Sequence, residues 1–135
     1  MISLDHYFGI YANHPDAGPG MYQSAEAMLE RVNRLLHMAE NQGIPPRTNP
    51  KTNSQVSGET NGGFRPQDCP IGAPKSSHKQ ARAVDVYDPD GQLDDWLNND
   101  ILEDYGLYRE SPEDTKGWCH LSDKAPPSGR RTFKP

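Results

Sequence analysis

The 135 residues carry 14 Lys and Arg against 19 Asp and Glu, a formal charge of -5, and 33% are hydrophobic. That balance lacks the basic face of a nucleic-acid binder, and no apolar run approaches the ~20 residues that a membrane-spanning helix needs. A single domain with one modest core is expected, wrapped in long segments broken by 13 Pro and 12 Gly.

The opening "MISLDHYFGIYANH" lacks a charged region followed by an apolar one, so no secretory signal is read and the chain is expected to be made in the cytoplasm. Residues 1–23 are expected to be irregular, with His6 and His14 as packing or surface groups. The best helical pattern is "SAEAMLERVNRLLHMAENQ" at 24–42. There Ala25, Met28, Leu29, Val32, Leu35, Leu36 and Ala39 fall on one face, Ser24 can cap the start and Gly43 can end it. His37 falls on the solvated side. "SQVS" reads as a short strand, and "GETNGG" and "FRPQDCPIGAPKSS" read as loop.

"ARAVDVYD" alternates and is β-favouring, with Ala81, Ala83, Asp85 and Tyr87 on one face and Arg82, Val84 and Val86 on the other. "DPDGQLDDWLNNDILEDYG" reads as one helix burying Leu93, Trp96, Leu97, Ile101 and Tyr105. "LYRE" and "GWCHL" read as strands joined across "SPEDTK", and the tail from 122 to 135 as irregular. The order predicts an α+β fold, a small antiparallel sheet with helices packed on one side. Cys69 and Cys119 form no CxxC pair, and two reduced thiols are expected.

Asp85 sits among valines, and a buried carboxylate needs compensation. His78 lies in the loop entering its strand, and His120 on another strand, sharing a face with Trp118 while Cys119 turns away. Two imidazoles and one carboxylate form a usual catalytic zinc set with a fourth position left open. The spacing alone is also compatible with an ordinary strand acid beside packing histidines.

Ser76, His78, Ala83 and Asp85 match the pattern S-x-H-x-x-G-x-A-x-D of the zinc D-Ala-D-Ala carboxypeptidases, whose fold is shared with the Hedgehog signalling domain. "GWCHL" resembles that family's second-histidine strand and "GGFRP" its S-G-[FY]-R segment. The chain is most similar to a short phage and prophage branch, through "NPKTNSQVSG", "AVDVYDPDGQLDDWL", "TKGWCHL" and "SGRRTFKP". The resemblance implies a Hedgehog/DD-peptidase-like domain spanning 1–135, with His78, Asp85 and His120 holding Zn2+. By the same resemblance Arg65 grips a substrate carboxylate, for which a guanidinium fork is suited. Ser76 bonds near the site or to local backbone, and Trp118 walls the cleft or packs. The implied activity is a metallopeptidase acting on bacterial peptidoglycan peptides, as a monomer, delivered to the wall by phage lysis or the virion.

The sequence departs from the family pattern at two positions. Ala81 replaces the motif glycine, where a positive φ would be uncomfortable. Gly117 stands where many relatives carry an acid three residues before the last histidine. Zinc hydrolysis still needs a proton-moving group. Glu110, Glu113 and Asp114 are the candidates, and Glu110 is preferred because the hairpin can return it towards Trp118 or His120. The alternative is a non-catalytic module in which zinc stabilises a cell-wall-binding or phage structural domain.

Overall fold

The computed structural model describes all residues 1–135. Ser3 caps a short helix α1 (Leu4–Phe8), its Oγ accepting from the His6 N–H at 3.1 Å. A 3-10 turn follows at Gly9–Tyr11. The N-terminal segment is therefore not irregular as expected. A five-residue helix is too short to stand by propensity and is held by burial of Tyr7 and Phe8, the latter stacked on Tyr22 with centroids 4.0 Å apart. Asn33 ties the chain start to the next helix, exchanging bonds with the Ile2 N–H and C=O at 2.9 and 3.0 Å.

Helix α2 runs Pro19–Asn41 and buries the seven apolar residues of the predicted stripe. It begins five residues before Ser24. Gly18 is extended and Pro19 occupies the first helical turn, where a missing N–H costs nothing. Gly43, at φ +87°, turns the chain just past the end.

Four strands form one sheet in the order β1 (Ala83–Asp88), β3 (Gly117–Ser122), β2 (Tyr108–Glu110), β4 (Thr132–Phe133). β1 and β2 pair antiparallel with β3, but β4 runs parallel to β2, so the sheet is mixed rather than antiparallel. β4 also corrects the irregular tail: the Arg109 and Ser111 N–H groups donate to Arg131 and Phe133 carbonyls, each at 2.7 Å. "SQVS" forms no strand of its own, only a local bridge of Asn49 to Ser54 and one of Val56 to Val86, the second covering the β1 edge.

The helix expected from Asp88 to Gly106 is two helices, α3 (Gln92–Trp96) and α4 (Asn99–Tyr105). Leu97 is extended, and Asn98 opens α4 by accepting from the Ile101 N–H at 2.9 Å. The break rotates the buried face, so Leu93, Leu97 and Leu102 are buried while Trp96, Ile101 and Tyr105 only pack half-buried against the core.

The α+β class holds, with alternation dividing the sheet. Val84, Val86, Cys119 and Leu121 join the core with Met28, Leu29, Val32, Leu35 and Leu36 of α2. Asp85, His120 and Glu110 lie on the other side of their strands, where the loop segments 61–82 meet them.

Candidate metal centre

Antiparallel register sets Asp85 directly opposite His120, which brings the two side chains together on one face. His78 arrives from a 3-10 turn, Ser77–Gln80. Ser76 caps that turn, its Oγ accepting from the His78 N–H at 3.3 Å. Ala81 then leaves the turn at φ +55° and ψ +37°, the left-handed conformation that a glycine would take without strain. Its side chain is fully buried.

His78, Asp85 and His120 are all buried, and their ligand atoms lie within 4.8 Å of one another. Asp85 Oδ1 sits 3.3 Å from His78 Nε2 and 2.9 Å from His120 Nδ1. The His78 ring is oriented from behind. Its Nδ1 lies 2.8 Å from the Gly63 carbonyl, which can only accept, so Nδ1 carries the proton. In neutral His78, Nε2 is then a bare lone pair facing a carboxylate oxygen. Two acceptors at that distance repel unless a cation lies between them. The donor set therefore fits a metal ion.

Gly63 is itself determined by packing. A Cβ there would stand 2.0 Å from the Tyr7 carbonyl oxygen. The bare backbone lets Phe64 N–H bond that oxygen at 3.1 Å while Gly63 C=O holds His78. Helix α1, absent from the sequence expectation, thus supports the His78–Asp85–His120 group through Tyr7, whose hydroxyl also donates to the Ala83 carbonyl at 2.8 Å.

The electrostatics centre on Asp85. Burial works to raise its carboxyl, but His78 and His120 outweigh that and hold it well below the usual carboxylate range. Burial lowers His120, and the hydrogen bond and charge of Asp85 overcome it, raising the imidazole above its ordinary value.

Arg65 reaches the same carboxylate. Its Nη2 lies 3.4 Å from Asp85 Oδ2 and its Nε donates to the Asn61 carbonyl at 2.7 Å. Nη1 points towards Gly72 and Ser76, where a Cβ on Gly72 would meet it at 3.0 Å. That end of the fork makes no hydrogen bond, while the other two nitrogens hold Asp85 and the Asn61 carbonyl. Ser76 spends its hydroxyl on local backbone.

Glu110 lies at the rim, with Oε1 3.8 Å from His120 Nδ1 and its side chain 24% exposed. Glu113 pairs with Lys134 instead, on an exposed turn. Trp118 shares the face of His120 and is half-buried. Sequence reading missed Phe133. It pairs with Glu110 in the β2–β4 register and sets its ring edge-on to His120, with centroids 6.1 Å apart. No periodicity marks a two-residue strand, so the only signal was one aromatic residue in a polar tail.

Comparison with family models, with curated proteins and with solved structures finds no match to this chain. The site therefore rests on its own geometry. A second group, His14, Asp16 and Asp68, is exposed, and His14 Nδ1 already accepts the Asp16 N–H at 3.0 Å. Both cysteines are free thiols. Cys119 faces the core beside Asp94, where burial pushes its thiol well up, and takes no part in the centre. No helix is long and apolar enough to cross a membrane.

Proposed function

We propose that the protein is a zinc metallopeptidase of Hedgehog/DD-peptidase-like fold, acting on bacterial cell-wall peptides. The observation that carries the reading is an acid poised beside a buried His-Asp-His group: Glu110 Oε1 stands 3.8 Å from His120 Nδ1. Two imidazoles and one carboxylate suit zinc among the divalent ions. Bound zinc would lower the pKa of a water and polarise a scissile carbonyl. Glu110 would take a proton from that water and return it to the leaving amine, the role left vacant by Gly117. Arg65, through Nη1, would hold a substrate carboxylate near the metal while Nη2 keeps Asp85 in place. Phe133 and Trp118 would limit water at the rim. The phage-like motifs favour wall peptide as the substrate, reached during lysis or entry.

The test begins with metal content of purified protein by elemental mass spectrometry. About one zinc per chain is expected, lost in His78→Ala and Asp85→Ala. Digestion of purified peptidoglycan then tests the base: Glu110→Gln should retain zinc and lose about 100-fold or more of the hydrolysis rate. A wild type that takes up no zinc, or a Glu110→Gln variant as active as wild type, would overturn the mechanism.

A further inference from the structure

Three successive carbonyls each hold a different part of the site. The Asn61 C=O accepts from Arg65 Nε at 2.7 Å, the Gly62 C=O from the Asp85 N–H at 2.7 Å, and the Gly63 C=O from His78 Nδ1 at 2.8 Å. The two glycines are pressed against neighbouring backbone. A Cβ on Gly62 would stand 2.0 Å from the Ser57 carbonyl oxygen, and one on Gly63 would stand 2.0 Å from that of Tyr7. Packing therefore fixes the two carbonyls that serve Asp85 and His78.

Asn61 is held differently. It alone of the three carries a side chain, and that side chain is tied. Its Oδ1 accepts from the Tyr11 hydroxyl at 3.0 Å and from Cys69 Sγ at 3.7 Å. Tyr11 ends the 3-10 turn after α1, and Cys69 closes a turn in which its N–H donates to the Pro66 carbonyl at 3.0 Å. The backbone of Arg65 is set separately, its N–H donating to the His78 carbonyl at 3.2 Å. The direction of its guanidinium depends on the Asn61 carbonyl at Nε and on Asp85 at Nη2. A planar fork held at two nitrogens has one direction left for the third. Without the Nε bond, only the 3.4 Å contact to Asp85 restrains it.

We propose that Asn61 and Tyr11 are positioning residues for Arg65: the Tyr11 hydroxyl locks the Asn61 side chain, and the locked residue presents the carbonyl that aims the guanidinium at the substrate carboxylate. This rests on the peptidase reading and adds to it two residues, neither a metal ligand, that set substrate affinity. The carbonyls serving the metal ligands are fixed by packing, whereas the carbonyl serving the substrate anchor is fixed by a side-chain hydrogen bond. Loss of that bond should loosen the grip on substrate and leave the metal in place.

The experiment uses Tyr11→Phe, which removes one hydroxyl and keeps the ring that stands edge-on to His14, beside Asn61→Ala and Asn61→Asp. The Arg65 Nε–H signal in nitrogen-15 NMR, identified by its loss in Arg65→Lys, reports on the network with no substrate present. Its exchange with water is expected to quicken about fivefold in Tyr11→Phe and Asn61→Ala, the scale of one hydrogen bond. Asn61→Asp keeps an acceptor oxygen and should stay close to wild type. Hydrolysis of the synthetic pentapeptide L-Ala-D-Glu-L-Lys-D-Ala-D-Ala by zinc-loaded protein gives the second readout. KM should rise about fivefold in Tyr11→Phe while kcat and zinc content stay at wild-type values, the mark of lost substrate binding. Asn61→Asp should restore KM relative to Asn61→Ala. Urea midpoints identify a variant that merely fails to fold, and if Asn61→Ala does so, Tyr11→Phe decides. Unchanged Nε–H exchange or an unchanged KM in folded Tyr11→Phe overturns the proposal, as does loss of its zinc, since the carbonyl would then serve the metal ligands. A wild type that cleaves no bond of the peptide overturns the peptidase reading and the substrate role with it. The Nε–H signal tells that outcome apart from failure of the network itself.

Discussion

The two faces of the central sheet are built from alternate residues of the same strands, and they are held by different physics. On one face Val84, Val86, Cys119 and Leu121 meet helix α2, and none exposes more than 3% of its surface. Burial there is non-directional and scales with apolar area. On the other face Asp85 and His120 are nearly as buried, at 8% and 6%, but their stability depends on direction: which nitrogen carries a proton and which oxygen faces it. The core face is complete as it stands. The site face leaves His78 Nε2 and Asp85 Oδ1 opposed at 3.3 Å, an arrangement that a cation completes. One strand pair thus serves as scaffold on one side and ligand frame on the other.

Separate substitutions should expose that division. The largest stability effect is expected at Leu121, which is fully buried on the core face. Leu121→Ala should cost about 2–5 kcal/mol through lost transfer energy and the cavity left behind. Below its melting transition the variant should still bind metal with wild-type stoichiometry. Urea unfolding and metal analysis of the same sample check both statements. Loss of metal in a still-folded Leu121→Ala protein would show that the two faces are mechanically coupled.

A smaller effect, of the opposite kind, is expected at Phe133. The ring borders His120 and the residue pairs with Glu110, yet it is only half-buried on a two-residue strand. Phe133→Ala should leave the urea midpoint close to wild type while weakening metal affinity by about tenfold, the lower end for a residue supporting a ligand. Chelator competition measures the affinity. The absorption spectrum of the cobalt-substituted protein should shift as His120 gains freedom. An unchanged spectrum and affinity would reduce Phe133 to a rim residue.

The same division explains what could be read from the sequence. β1, β3 and the body of α2 announce themselves because periodicity is a local record of which side faces the core. His78, Asp85 and His120 were legible because a carboxylate among valines needs a reason. The elements that escaped are set by distant contacts. β4 exists only because β2 offers its unpaired edge, and α1 because Tyr7 and Phe8 find places in the core. Gly63 read as loop, although its missing side chain brings the Tyr7 carbonyl and His78 to one point. The break between α3 and α4 had a signal in the Asn98–Asn99 pair, a natural helix start, which the apolar spacing of Leu93, Leu97 and Ile101 masked.

The smallest expected effect lies beneath the core face and has a sign that can be worked out. Asp94 is buried, with Arg109 Nη1 3.3 Å from its Oδ1 and the Thr115 hydroxyl donating to Oδ2 at 3.2 Å. Burial raises its carboxyl above the ordinary value, against the opposing pull of Cys119, Arg109 and Thr115. Between the unfolded and the raised folded value, the native state holds more protons than the unfolded chain. Stability contributed by this group is therefore present below the usual carboxylate range and falls as pH rises through the window just above it. Asp94→Asn removes the titrating proton while keeping an oxygen that can accept from Thr115 or Arg109. Urea midpoints of the two proteins, measured at close steps across the mildly acidic range, should converge or diverge according to that slope alone, since every other carboxylate is common to both. The difference between them should change in favour of the Asn variant as pH rises. A difference independent of pH would mean that the Arg109 and Thr115 contacts fully offset the burial of the charge, and that the core side of the sheet carries Asp94 as readily as the other side carries Asp85.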